Sequence, residues 1–271
     1  MSSTAVYLGP RPTGVSPSRV TQIETCPRQY QYSSIEKLHE DKKMETYRGT
    51  VFHAVLEEMF NRTLDDPLLR TANFTMDVMR ELWPALVDDE SRRQMKLDDR
   101  QAAVFQADVA KYIRTYFTME DPTQVKPEGL EIRLDLDMGG FGLRGILDRL
   151  DRNADGELEI VDYKTGKVPQ DRFKDAAVLP SKIYALLGER VLGERPTRIR
   201  LLYVQFGKTI TVEVTDEDVA YAETRVRDAY RKITGWYEAG YFPPIRNNLC
   251  ENWCSFKSIC PIFSHVDEDD F

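Results

Sequence analysis

The residues best suited to chemistry are Asp148 and the run Asp162-Tyr163-Lys164. Asp148 stands in Gly145-Ile146-Leu147-Asp148-Arg149-Leu150, and Asp162 follows fourteen residues later, closing Leu158-Glu159-Ile160-Val161. In a strand, residues i and i+2 share a face. Asp162 and Lys164 therefore share one with Leu158 and Ile160, and Asp148 shares one with Ile146 and Leu150. Both carboxylates are expected to look inward. A carboxylate and an ammonium at the end of an apolar row are costly to bury unless each has a partner. An ordinary ion pair between strands meets that demand. A divalent cation beside a lysine meets it too, and can hold a water and polarise a phosphate, as phosphodiester cleavage requires.

The elements that position these groups can be read around them. Arg152-Asn153-Ala154-Asp155-Gly156 carries an Asp-Gly turn signal, which makes the two segments a hairpin. Upstream, Leu130-Glu131-Ile132-Arg133-Leu134-Asp135-Leu136 alternates apolar and charged residues as a half-buried strand does. Gly139-Gly140 turns it into the Asp148 strand. The result is a three-strand meander carrying the acidic residues.

The cysteines form a second signal. Cys26 stands apart, in Glu24-Thr25-Cys26-Pro27, whereas Cys250, Cys254 and Cys260 fall within eleven residues near the other end. Four thiolates can ligate a [4Fe–4S] cluster or a zinc ion. Either would tie the two ends of the chain together and remove much unfolded-state entropy. Disulfides are disfavoured because Met1 to Thr13 lacks the apolar core of a secretory signal.

Gly-x-x-Asp followed at this distance by Asp-x-Lys resembles the PD-(D/E)XK nuclease superfamily, most closely its RecB-type exonucleases and their CRISPR-associated relatives. That branch has an upstream histidine on a helix, matched by Gly49-Thr50-Val51-Phe52-His53. It also has a tyrosine-bearing helix downstream, matched by Lys182-Ile183-Tyr184. The resemblance runs from Ser16 to Pro261. It implies that His53, Asp148 and Asp162 ligate Mg²⁺ or Mn²⁺, joined by the main-chain carbonyl of Tyr163, and that Lys164 steadies the water or the transition state. Glu57 and Glu131 are candidates for a second metal or a supporting role, with a solvated face as the alternative. Tyr184 and Lys182 are candidates for substrate contact. The family commonly has glutamine four residues before the tyrosine, where this chain has Pro180. The one-plus-three cysteine pattern ending in Cys-Pro resembles the iron–sulfur staple of the same branch, which implies a [4Fe–4S] cluster on Cys26, Cys250, Cys254 and Cys260.

Composition sets bounds. Of the 271 residues, 30% are charged and 41% hydrophobic, with a net charge of −8. There is no run of eighteen apolar residues for a membrane span, and Met1 to Thr13 lacks the apolar core of a signal peptide, so a cytoplasmic protein is expected. The acidic balance does not advertise nucleic-acid binding, which usually leaves a basic footprint. The tail Asp267-Glu268-Asp269-Asp270 supplies four of the negative charges, and local patches can still be basic.

Helices are expected from Pro17 through Tyr30, with Ser16 as cap; over 47–61; over 75–87; over 91–117; over 172–192; and over 216–239. A further hairpin is expected from Arg198 to Val214. The expected fold is α/β, a mixed central sheet flanked by helices in a restriction-endonuclease-like core. It is read as one domain over 1–271, with a helical insertion at 65–127 and a cysteine segment at 240–264 paired with Cys26. The function expected is metal-dependent hydrolysis of DNA, exonucleolytic on single strands or ends, in repair, recombination or CRISPR adaptation. The alternatives are a catalytically silent DNA-end-binding scaffold and a zinc-stapled protein. No Gly-x4-Gly-Lys-Ser/Thr loop is present, so unwinding would fall to a partner helicase.

Overall fold

The computed structural model describes residues 9–40, 42–170 and 174–263. The predicted meander is there: β2 (Pro127–Asp137), β3 (Gly142–Arg152) and β4 (Leu158–Lys164) pair antiparallel in order. β5 (Arg198–Tyr203) runs parallel to β4, and β6 (Lys208–Glu213) closes that edge antiparallel. A short strand, β1 (Gly14–Val15), lies parallel to the start of β3. The six strands make one mixed sheet.

One edge of β3 is shared. β1 pairs Gly142 and Leu143, whereas β4 pairs only Arg149 to Arg152. Between them the sheet is split, and Asp148 stands at the fork.

Helices cover both faces. α1 (Pro17–Thr25), α7 (Lys174–Leu187) and α8 (Asp216–Glu238) bury Val20, Ile23, Ile183, Leu186 and Val226 against Leu143, Leu147, Ile160 and Leu201. On the other face α3 (Met44–Arg62), α4 (Ala72–Leu86) and α6 (Asp99–Met119) pack Phe52, Leu56, Val78 and Ile113 against Val161, Tyr163 and Leu202. No helix among the described residues is long and apolar enough to cross a membrane.

Three expectations need correction. The first helix stops at Thr25: Cys26 is extended, with φ −162°, and a short helix α2 (Pro27–Tyr30) follows. Proline at 27 forbids the preceding residue a comfortable helical ψ. The stretch 91–117 is two helices, α5 (Asp89–Gln94) and α6, because Lys96 takes φ +56° and Asp98 opens a new capping box with Gln101. Ile146 is 53% exposed rather than turned inward, because β3 changes its facing where it leaves β4. The start expected at 172 lies outside the described residues.

Candidate active site

Each acidic group is placed by an identifiable feature. At the fork, Tyr163 has no ladder partner on β3, and its N–H donates instead to Asp148 Oδ2 at 2.9 Å. α3 approaches the end of β4 closely because residue 49 is glycine: a Cβ there would meet Thr165 Oγ1 at 2.9 Å. One turn further along, His53 sets Nε2 3.0 Å from the Tyr163 carbonyl oxygen and Nδ1 3.4 Å from Asp148 Oδ1. Opposite Asp148, Glu131 takes φ +46°, a conformation that is costly for a residue with a Cβ and that clusters at working sites.

His53, Glu131 and Asp148 each offer a ligand atom, and these atoms lie within 4.8 Å of one another. An imidazole nitrogen with two carboxylate oxygens suits Mg²⁺ or Mn²⁺. Asp162 stands behind this group, paired with Lys164 at 2.5 Å.

The electrostatics are those of carboxylates crowded without enough cation. Burial, then Asp148 and Glu57, push the Glu131 carboxyl up to about 7, against the pull of His53. Asp162 is also raised, by burial and by Asp148, although Lys164 opposes this. Burial works against Asp148 as well, but His53, the Tyr163 N–H and Lys164 together hold it below its ordinary value. His53 is raised: the two aspartates and the Tyr163 carbonyl outweigh its burial. Lys164 is held up by Asp162 and Asp148 despite burial. A divalent cation would relieve the repulsion among these carboxylates.

Of the other candidates, Glu57 lines the same cavity as His53 and Glu131. Tyr184 packs its ring on Gly145, where a Cβ would meet Cε1 at 2.5 Å. Its hydroxyl is pushed up by burial and by Asp162 and Asp148. Pro180 lies inside α7 without ending it. Lys182 is not brought to the group: its Nζ pairs with Asp218 of α8 at 2.7 Å.

A buried network behind the site escaped the sequence reading. Arg149 is fully buried; it bonds Glu120 at 2.6 and 3.0 Å and the Tyr163 hydroxyl at 2.6 Å, and pairs with Asp151 at 2.9 Å. Tyr163 is thereby fixed at its hydroxyl, on the far side from the backbone atoms that meet Asp148 and His53. The signal was present: charged residues occupy positions 148, 149, 151 and 152 of a strand whose two faces are both covered.

The four cysteines are free thiols. Ile245 N–H donates to Cys26 Sγ at 3.5 Å and Asn247 N–H to Cys250 Sγ at 3.4 Å, while the Asn247 amide bonds Thr25 O at 3.1 Å. Burial raises the Cys254 thiol, and Cys250, Cys26 and Cys260 add to it. The sulfurs thus share one neighbourhood, joining the end of α1 to the C-terminal segment. Thiolates suit a thiophilic metal or cluster, but no three of these sulfurs lie within 4.8 Å of one another.

A split mixed sheet with carboxylates, a histidine and a lysine at the fork defines a class of nuclease cores. The chain belongs to the PD-(D/E)XK nuclease superfamily, whose family model matches residues 14–261. Over its length it is similar to the Gene 69 protein of Mycobacterium phage D29, at 24% identity over 92% of this chain and 96% of that one. It is also similar to one component of an ATP-dependent helicase/deoxyribonuclease of Streptococcus mutans, at 30% identity over 49% of this chain; the match spans 12% of that larger protein. Among solved structures, a candidate exonuclease from Eubacterium rectale aligns over 98% of this chain and 93% of its own, at 13% identity and a TM-score of 0.46.

Proposed function

We propose that this protein is a Mg²⁺- or Mn²⁺-dependent deoxyribonuclease acting on single strands or DNA ends. The observation that carries the reading is the convergence of His53, Glu131 and Asp148 within 4.8 Å, beside the Asp162–Lys164 pair. Glu131 therefore enters the proposed ligand set on the same footing as His53 and Asp148, with Asp162 and the Tyr163 carbonyl bordering it. A bound divalent ion would supply Lewis acidity and a water of lowered pKa. With Nε2–H given to the Tyr163 carbonyl, a neutral His53 would have its Nδ1 lone pair for the bound ion, on the side that faces Asp148. Lys164, kept protonated by Asp162, holds a fixed positive charge where negative charge grows on an attacked phosphate. Tyr184 walls the site on the α7 side.

The same reading gives the cysteines a [4Fe–4S] cluster, a staple between Cys26 and the C-terminal segment. Backbone N–H groups already aimed at Cys26 and Cys250 sulfurs support it, since such bonds stabilise bound thiolates. A helicase partner in the cytoplasm would supply unwinding. Protein purified without air should cut an end-labelled strand when Mg²⁺ or Mn²⁺ is added and stop when EDTA is added. Binding of the strand without metal-dependent cutting would leave a DNA-end-binding scaffold instead.

A further inference from the structure

The net charge of −8 hides a positive track. Two adjoining cavities lie beside the fork. The larger, of about 600 Å³, is lined by Arg11, Arg19, Lys37 and Arg144. The smaller, of about 370 Å³, shares Ser16 and Arg144 with it and adds Arg133, Ile146 and Tyr184. Among the described residues neither has an aspartate or glutamate in its lining. The cavity at the metal group itself has the opposite character: among the described residues it is lined by His53, Glu57 and Glu131 with no lysine or arginine.

Among the described residues, two carboxylates pair with these five cationic side chains. Asp135 pairs with both Arg133 and Arg144 at 2.9 Å, and Glu238 pairs with Arg11 at 3.0 Å. Arg19 is held by neutral partners, Gln22 Oε1 at 2.5 Å and Ser33 Oγ at 3.2 Å, so its charge is positioned without being cancelled. The track keeps a net positive charge and ends at Tyr184, whose hydroxyl feels Asp162 and Asp148. Low-dielectric walls lined by one sign of charge concentrate counter-ions of the other. Cavities of this size take ligands of one or two nucleotides. The half-exposed Ile146 offers apolar surface to a base.

We infer that this groove carries the phosphates of a single DNA strand to the metal group, running from Arg19 past Arg144 and Arg133 to Tyr184. The inference rests on the nuclease reading above and adds to it the direction of approach.

The test is the anisotropy of a fluorescein-labelled dT20 strand, titrated with the full chain in EDTA between 50 and 300 mM salt. The Arg133→Ser/Arg144→Ser pair is compared with the parent, both side chains being well exposed at 69% and 64% so that folding is preserved. An exposed arginine on α8, Arg231, mutated to serine, is the control. Each single-strand phosphate contact contributes about 0.7 to the slope of log K against log salt. Loss of two contacts is expected to reduce the slope by about 1.4 and weaken binding about 25-fold at 0.1 M salt, with Arg231→Ser unchanged. Parental slope and affinity in the double variant would overturn the groove, while metal-dependent cutting by the parent would leave the nuclease reading standing. A parent that neither binds nor cuts the strand would overturn both.

Discussion

Asp148 takes the place of a missing strand: its Oδ2 accepts the Tyr163 N–H at 2.9 Å where β3 has parted from β4. The same carboxylate offers Oδ1 to His53. One side chain therefore closes the sheet and opens the site. Its two duties can be separated. Asp148→Asn keeps an oxygen for the N–H, whereas Asp148→Ala leaves a buried donor unmet, at about 1–3 kcal/mol. The alanine variant should be less stable than the asparagine variant by that amount in urea melts. Both should lose Mn²⁺ binding by calorimetry. Equal stability of the two would show that the N–H finds another acceptor.

Lys164 and Asp162 should prove coupled. Lys164→Ala leaves Asp162 buried among other carboxylates, and removing one partner of a buried pair costs more than removing both. In EDTA the single variant should lose about 2 kcal/mol, discounted for partial exposure, and Lys164→Ala/Asp162→Ala should recover much of it. Thermal melts of the parent, Lys164→Ala, Asp162→Ala and the double variant decide this. A double variant less stable than either single would contradict the coupling.

The network behind Tyr163 gives a pH dependence of definite sign. Burial pushes Asp151 from 3.8 up to about 6 in spite of Arg149. A carboxyl whose folded pKa is raised binds its proton more tightly when folded. Its contribution to stability is full below about 3.8 and is lost as pH rises through about 6, on the order of 3 kcal/mol in all. Asp151→Asn should flatten the stability profile between pH 4 and 6. Glu131, raised to about 7, leaves a residual slope reaching higher pH. Urea midpoints at half-unit intervals of pH measure this, and a profile as steep as the parent's would contradict it.

The proposed cysteine staple predicts a metal-linked stability. Joining residue 26 to residue 250 closes a very long loop, worth up to about 5 kcal/mol of unfolded-state entropy. Anaerobic protein should be brown and contain iron, and Cys26→Ser should lose both colour and several kcal/mol of stability. Colourless protein with one zinc per chain would replace the cluster by a zinc ion.

Much of this was legible because strand periodicity is strict. Asp162 and Lys164 had to share a face with Ile160, and Asp-Gly at 155–156 had to turn the hairpin. Ser16 capping α1 was equally plain, its Oγ accepting the Arg19 N–H. Periodicity fails where a strand leaves its neighbour, so the outward Ile146 could not be foreseen. Nor could the weight of Glu131, which depends on a backbone of φ +46° that local sequence does not dictate. Arg149 was missed because strand alternation ranks charged residues as solvent-facing, and its burial is made tolerable by Asp151, the Tyr163 hydroxyl and Glu120 from the far end of α6. The break at Cys26 was readable from Pro27. The break before α6 depended on the Asp98–Gln101 box, which an uninterrupted helical pattern concealed.

The most direct test is degradation of end-labelled single-stranded DNA with Mg²⁺ or Mn²⁺ by the anaerobically purified parent and Lys164→Ala. The parent should shorten the strand from an end, in a ladder that reveals polarity, and the variant should lose at least 100-fold in rate, about 2.7 kcal/mol of transition-state stabilisation. Equal cutting by both proteins, or none by a parent that holds its metals, would contradict a nuclease built on Asp148, Asp162 and Lys164.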